Sequence, residues 1–339
     1  MTDSMNLTRR TILFAPLALA ACRNGGETLS FNGQTMGTSY SITAVTGSAT
    51  AGREELVAGI DQALAAVHAE MSNWDSQSEV SLFNASASTN SQTVSPAFAQ
   101  VMNSAEDVRL LSGGKFDVAL GPLIEAWGFG ATGQTGTQPS DALIASLMAG
   151  VGVGVEVDGN TIRKNNAETQ VYLSSIAKGH GVDRVAQALN DLGVKDYMVE
   201  IGGDLVTAGV NPEGQPWQVG IEKPDVLALG VQSVVGISGM GLATSGDYRN
   251  FFEVDGQRFS HILDGETGRP VDHATASATV VAENAMMADA WSTAMLTLGR
   301  EEGLKLAEEL NLAVMFIERD ASGDTFTTTA SAQFAALQA

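Results

Sequence analysis

Apolar residues recur along this chain with two distinct periods. Leu56, Ile60, Leu64, Val67 and Met71 fall three or four apart, the spacing that lays one stripe along a helix, and predict an amphipathic helix over 53–71. Tyr40, Ile42 and Ala44 alternate with polar neighbours, which predicts a half-buried strand entered from a turn at Gly33. Ser95-Pro96 reads as an N-cap with proline at the first helical position, opening a helix that Gly113-Gly114 stops. The Gly-, Thr- and Gln-rich stretch 128–139 reads as a loop, and Ser140 after it caps a short helix ending near Gly150. Asp158-Gly159 turns a hairpin over 155–162. A helix from about Ala177 to Leu192 closes at Gly193. Short strands follow near 196–201, 204–209, 217–222, 231–237, 250–254 and 257–262, the last two joined by Asp255-Gly256. A strand at 275–282 runs into a helix from about Asn284 to Leu298. A further helix, a strand at 313–318, a turn at 320–323 and a last strand complete the pattern. Strands in runs, with helices inserted between them, predict an α+β fold with antiparallel or mixed sheets rather than a doubly wound one.

The N-terminal segment breaks this pattern. Arg9 and Arg10 precede an apolar run from Ile12 to Ala21, which ends in Leu19-Ala20-Ala21-Cys22, small residues before the only cysteine. Positive, apolar and small residues in that order are the layout of an export signal, and the run is too short to span a bilayer as a helix. Its end resembles a lipobox, in which the cysteine is lipidated and becomes the mature N-terminus. The expectation is a twin-arginine-like signal peptide over 1–21, a lipidated tether over 22–28 with Cys22 as the lipidation site, and one domain over 29–339. The protein is then a lipoprotein of the cell envelope, anchored in the inner membrane and facing the periplasm. With Cys22 lipidated, no cysteine remains for a disulfide, so stability rests on the packed core.

Charge narrows the partners. The formal net charge is −21, and loss of the signal, with its two arginines and one aspartate, makes it one unit more negative. Such a surface repels phosphate backbones and argues against nucleic acid as a partner.

Polar and glycine-rich clusters sit at the ends of predicted elements, where side chains and free backbone groups converge. Ser174-Ser175-Ile176-Ala177-Lys178-Gly179 opens a helix, whose terminal amides favour anions. Ile201-Gly202-Gly203-Asp204 joins two strands, while Thr244 to Arg249 and Ser260 to Asp264 each end a strand. Each cluster alone is as readily a structural turn. Asp289 and Thr293 are sharper, because they lie four apart and share a helix face. On an Ala- and Met-rich helix, a carboxylate and a hydroxyl so placed suit a hard cation completed by backbone oxygen and water. The alternative is an aspartate favouring the helix dipole and a threonine bonding back to a carbonyl.

Taken together, the clusters resemble the ApbE family of FAD:protein FMN transferases. The likeness rests on Met36-Gly37-Thr38, Met71-Ser72-Asn73-Trp74, Gly114-Lys115-Phe116-Asp117-Val118, Gly121-Pro122-Leu123 leading to Trp127-Gly128-Phe129-Gly130, and Ile176-Ala177-Lys178-Gly179. It continues through Glu200-Ile201-Gly202-Gly203, Gly220 to Pro224, Ala243 to Asn250, Ser260-His261-Ile262 and Ala288-Asp289-Ala290-Trp291. The resemblance implies a two-lobed α+β fold with FAD in the cleft between the lobes. Met36, Trp74, Lys115, Phe116, Asp117, Val118 and Ser175 would line the flavin site, with Lys178, Ser260 and Ile262 close by. Ala177 through its carbonyl, Asp289 and Thr293 would hold Mg²⁺. The implied reaction splits FAD and transfers FMN to a threonine or serine hydroxyl of a target protein, releasing AMP. His261 would take the proton from that hydroxyl, or act as a hydrogen-bonding turn residue, and Asp247 is a second candidate base or an orienter. Envelope electron-transfer complexes, such as sodium-pumping NADH:quinone oxidoreductases, are the acceptors the family implies. A pyrophosphatase splitting FAD with water, and a lipoprotein that binds FAD without cleaving it, are the rival readings. One departure stands out: family members carry aspartate two residues before the Gly-Gly or Ser-Thr pair that precedes Ile-Ala-Lys-Gly, and here that residue is Tyr172. A changed turn geometry or Mg²⁺ affinity is the expected consequence.

Overall fold

The computed structural model describes residues 26–338, apart from 48–49, 132, 134–136, 153, 226–229 and 321–324. The expected signal peptide, Cys22, the start of the tether and most of the expected turn at 320–323 lie outside the described residues. In chain order, β1 (Thr28–Thr35) and β2 (Thr38–Val45) form a hairpin, followed by α1 (Arg53–Met71) and α2 (Glu79–Ala85). The short strand β3 (Gln92–Thr93) precedes α3 (Pro96–Leu111), α4 (Gly121–Ala126) and α5 (Asp141–Leu147). A second hairpin, β4 (Val155–Asp158) and β5 (Thr161–Lys164), leads to α6 (Ala177–Asp191). Strands β6 (Asp196–Ile201), β7 (Asp204–Ala208), β8 (Trp217–Glu222), β9 (Val231–Ile237), β10 (Gly241–Gly246), β11 (Phe251–Val254), β12 (Gln257–Ser260) and β13 (Thr275–Ala282) come next. After them come α7 (Ala285–Leu310), β14 (Ala313–Arg319), β15 (Phe326–Ala330) and the one-turn helix α8 (Ala332–Ala335). Among the described residues, no helix is long and apolar enough to cross a membrane.

Eight strands form one sheet in the order β1-β2-β6-β7-β10-β13-β14-β15, every pairing antiparallel. Alternation along the central strands sends neighbouring side chains to opposite faces. Ala243, Val280, Val314 and Phe316 join the core beneath α3 and α7, whereas Leu242, Val281, Ala313 and Met315 pack against β8, β9 and α8. Strand β13 is therefore buried along its whole length. Toward the β1 side, Phe31, Ile42, Ala44, Val199 and Ile201 pack with Leu56, Ile60 and Leu64 of α1 and Val182, Val185 and Leu189 of α6. A smaller lobe gathers Leu120, Leu123, Trp127 and Ile144 around Phe252 and Phe259 of the β11–β12 hairpin. Trp127 fixes that lobe by donating its indole N–H to the Gly268 carbonyl at 2.9 Å.

Most predicted elements occupy their expected positions, but the start of the fold differs. Gly33 does not form a turn: it lies within β1, paired opposite Tyr40, and the turn falls at Met36-Gly37. A Cβ on Gly33 would come 2.6 Å from the Tyr40 ring, so glycine is there to let the ring lie across the strand. The chain segment expected as tether up to residue 28 already enters β1 at Thr28. The two expected helices after Asn284 are both present as the halves of α7, divided where Gly299 takes the non-helical φ 72° and ψ 172°.

Helix α7 is anchored by its neighbour α6. Its first amides are taken by α6 and by its own cap: Asp183 accepts from Ala285 and Met286, both at 2.9 Å, and Asn284 accepts from Met287 at 2.8 Å. Burial raises the Asp183 pKa to about 6 in spite of those two donors. The helices cross at Gly179, where a Cβ would lie 2.2 Å from the Ala285 carbonyl oxygen and 2.8 Å from Cβ of Asp289. Backbone, not a flexible side chain, blocks the space. Gly179→Ala should therefore lower unfolding free energy by about 3 kcal/mol, at the upper end of overpacking costs. An unchanged urea midpoint for this variant would show that the crossing is looser than the packing indicates.

Candidate active site

A cleft of about 600 Å³ opens where the central sheet, the start of α6 and the smaller lobe meet. The main sheet contributes Gly202-Gly203 at the β6–β7 turn and Thr244, Ser245 and Gly246 at the end of β10. The start of α6 contributes Ser175 and Lys178, α7 contributes Asp289 and Thr293, the main core contributes Phe116, and the smaller lobe contributes Leu120 and Ile124. His261 and Ile262 close another side.

The crossing at Gly179 creates the most charged part of this cleft. The Gly179 amide donates to Asp289 Oδ2 at 3.0 Å, and the Asp289 side chain is buried. Lys178, the preceding residue, forms an ion pair with buried Asp204 at the start of β7. Burial first, and then the neighbouring Asp289 carboxylate, push the Asp204 pKa well above the usual carboxylate range, against the pull of Lys178. Burial disfavours the Lys178 charge, but Asp204 and Asp289 outweigh it and raise the lysine pKa. Two acidic groups thus share a buried site with one lysine. One turn along α7, Thr293 Oγ1 lies 3.0 Å from Ser245 Oγ, which in turn lies 2.8 Å from Ser292 Oγ. Asp289 therefore accepts from α6 and not from its own first turn, and the Thr293 hydroxyl is turned toward β10 instead of back to a carbonyl. Both residues face the cleft.

These groups fit a divalent cation. An excess of buried acid over base, with a threonine hydroxyl alongside, is the oxygen-rich and negatively charged environment that Mg²⁺ prefers. Among the described residues no cluster of three His, Cys, Asp or Glu side chains forms a metal site. A cation here would accordingly rely on hydroxyl, carbonyl and water oxygens beside the carboxylate. Ala177 is the first residue of α6, adjoining Lys178, and its side chain is not part of the cleft wall.

Lys115 reaches the cleft from the other lobe and pairs with Asp264 at 2.8 Å and Glu266 at 2.7 Å. Burial opposes its charge, but the two carboxylates prevail and hold its pKa above the ordinary lysine value. Asp117 lines the cleft but commits both carboxylate oxygens to backbone amides, Ala119 at 2.7 Å and Gly152 at 2.8 Å. It lines the wall as the sequence suggests and also holds the neighbouring backbone in place. His261 accepts nothing at Nδ1: a carbonyl, that of Asn250 at 3.0 Å, faces it, so Nδ1 carries the proton. Burial lowers the His261 pKa, partly countered by that bond and by Asp247. A neutral ring protonated at Nδ1 leaves Nε2 as a lone-pair acceptor. The hydrogen-bonding turn role and the proton-acceptor role are thus compatible in one residue.

Several expected residues stand outside the cleft wall. Met36 occupies the β1–β2 turn and packs its methyl against Gly181 of α6. Val118 is in the core, and Ser260 is buried, accepting the Ile262 amide at 3.1 Å. Trp74 is 62% exposed and meets the cleft only through Tyr172, edge-on at 6.1 Å. Asp247 is buried in a two-pronged ion pair with Arg319, one contact 2.7 Å, and is not in the cleft wall. With both oxygens bonded to a guanidinium and no place in the cleft wall, it fits the orienter of the two expected roles and not the base. Asp204, Ser245, Arg249 and Asn250 line or underlie the site although sequence alone gives them no role. Their signal was position: each follows a glycine turn or ends a strand.

Tyr172 explains the departure in the sequence. Its hydroxyl donates to Glu125 and accepts from the Ala131 amide at 3.1 Å, and its ring lines the cleft. Burial, reinforced by Glu125, pushes its pKa up to about 12. The tyrosine thus ties α4 to the loop that follows it, while Asn73 holds the chain on either side, donating to Val171 O and accepting from Leu173 N.

The chain is similar to known flavin transferases over most of its length. The model of the ApbE family matches residues 36–316. An FAD:protein FMN transferase of Haemophilus influenzae is 41% identical over 329 residues, covering 95% of this chain and 94% of the relative. The solved flavin transferase ApbE from Vibrio cholerae has a TM-score of 0.85 at 37% identity and covers 92% of this chain and 99% of its own. The apo flavinyl transferase ApbE of Pseudomonas stutzeri gives 0.85 at 36% identity, with 92% and 97% covered.

Removing the Tyr172 hydroxyl tests its bridging role. Tyr172→Phe removes one donor from Glu125 and one of two acceptors from the Ala131 amide, which also donates to Glu125 at 2.8 Å, and should cost about 1–3 kcal/mol of stability with faster hydrogen exchange at Ala131. Wild-type stability and exchange in the variant would mean that the loop is held by other contacts.

Proposed function

The chain belongs to the ApbE family, and on that premise we propose that it is an FAD:protein FMN transferase. The observation that carries the reading is the meeting of Asp289, Thr293, Lys178 and His261 around one cleft. FAD lies in this cleft with its pyrophosphate toward Lys178 and Asp289. The acceptor hydroxyl oxygen attacks the phosphorus of the FMN half, and its proton passes to His261 Nε2. The bond to the bridging oxygen breaks, and AMP leaves with that electron pair. Lys178 and Lys115 place positive charge beside the anionic substrate. Asp289 and Thr293, with the Ala177 carbonyl, would hold Mg²⁺, which when bound neutralises charge building on the pyrophosphate oxygens.

The acceptor is a threonine or serine of an envelope electron-transfer protein. The twin arginines and Cys22 support export and lipid anchoring in the inner membrane, with the domain in the periplasm. Incubation with FAD, Mg²⁺ and an acceptor protein, read by mass spectrometry, tests the reading. A gain of FMN mass with equimolar AMP supports it. Free FMN and AMP without labelling would make the protein a pyrophosphatase, and intact FAD would make it a binding protein.

Asp289 offers the only formal charge among the proposed metal ligands. Asp289→Ala should abolish FMN transfer while FAD binding, followed by flavin fluorescence, remains measurable. Thr293→Ala should be milder and partly rescued by raised Mg²⁺, because water can replace a hydroxyl. Full transfer by Asp289→Ala in chelator-treated buffer would contradict the assignment. Transfer should also fall in acid as His261 protonates, with a midpoint below the ordinary histidine value of about 6.5, since burial lowers its pKa. A midpoint above that value would remove His261 as the proton acceptor.

A further inference from the structure

Behind the cleft wall lies a charged assembly that the proposed reaction does not use directly. Arg319, the last residue of β14, donates both terminal nitrogens to the Asp247 carboxylate. The Asp247 amide donates to Ala276 of β13 at 3.1 Å, and Arg258 of β12 donates to the Asp247 carbonyl at 2.8 Å. Arg258 itself lies over the Phe251 ring, 3.8 Å from its centroid. Three strands thus grip one residue at the exit of β10. Three residues further on, the Asn250 carbonyl receives both the His261 amide at 3.1 Å and its Nδ1–H at 3.0 Å. The chain from Asp247 to Asn250 thus connects this clamp to the imidazole ring, and Arg258 on β12 connects it from the other side.

We propose that the Asp247–Arg319 pair is a positioning device for His261: it fixes the carbonyl that orients the ring, and Arg319 balances the Asp247 charge so that the ring stays neutral. This assignment rests on His261 being the proton acceptor of the transfer. The other charges near the ring are already engaged. Arg249, on the same connection, pairs with Glu222 of β8, and Arg258 is bonded to the Asp247 carbonyl. Lys115 is held by Asp264 and Glu266 beyond His261, and the aromatic neighbour Phe129, edge-on at 6.3 Å, carries no charge. The Asp247 carboxylate favours the protonated form of the imidazole, an influence smaller than burial and than the Asn250 bond. A guanidinium fork on that carboxylate offsets the effect without touching the ring.

The test is a nuclear magnetic resonance titration of the histidine rings in the FAD-free protein, whose four histidines permit assignment by loss of one signal in His261→Gln. Removing Arg319 uncovers the Asp247 charge, so Arg319→Gln should raise the His261 midpoint by about half a unit or more. Arg319→Lys should restore most of the wild-type value. Asp247→Asn, which keeps the shape but not the charge, should move the midpoint the opposite way, and the double variant should return near wild type. Opposite shifts cannot come from general loosening of the fold, so these variants separate charge balance from damage. The acid limb of FMN transfer should move with the titration, while KM for FAD stays within about twofold. An unchanged His261 midpoint in folded Arg319→Gln and Asp247→Asn would overturn the proposal. If the titration shifts as expected but no variant, wild type included, transfers FMN, the failure lies with the transferase reading instead.

Discussion

The close approach of α6 and α7 at Gly179 is the contact on which the site depends. Without a side chain there, the α6 backbone comes near enough for its amide to bond Asp289, and Lys178 is delivered to the same spot. Asp183, one turn further along α6, takes the first amides of α7 and sets the angle at which that helix enters. The long face of α7 then rests on β10 and β13, bringing Thr293 to Ser245. Position along three elements is thus converted into one cluster of oxygens and one ammonium group. Loosening the crossing would separate the two acids and remove the electrostatic tension that favours a bound cation.

Around that cluster the protein spends most of its polar side chains on holding loops. Asp117, Ser260 and Asn73 each satisfy backbone groups of segments that form the cleft wall. Tyr172 does the same for the loop after α4. Burial of unpaired backbone groups is costly, so a cleft lined by turns needs such partners. The proposed chemistry draws on Asp289, Thr293, Lys178, Lys115 and Nε2 of His261, all on the wall of the same cleft.

Helices with clear apolar periods, such as α1, were legible in the sequence to the residue. So were the capped starts of α3 and α5 and the antiparallel, helix-interrupted class of the fold. β1 was not, because only Phe31 along it is buried and its edge position leaves the pattern weak. Nor was Gly33, which serves a ring across the strand pair and not a turn. Among site residues, sequence spacing could place Asp289 and Thr293 on one helix face, but not say what each bonds. The commitment of Asp117 and Asp247 to structural partners depends on Gly152 and Arg319, far away in the chain, and no local pattern carries that information. Asp204 is similar, since its importance arises only when β7 meets α6.

On the proposed function, the helix crossing assembles a cation site at the base of the cleft. Anomalous diffraction from crystals of the protein soaked with Mn²⁺ and FAD tests this most directly. The account predicts one strong peak within bonding distance of an Asp289 carboxylate oxygen and of Thr293 Oγ1, with the FAD pyrophosphate beside it. A fully occupied manganese elsewhere in the cleft, with Asp289 still bonded only to protein, would contradict it.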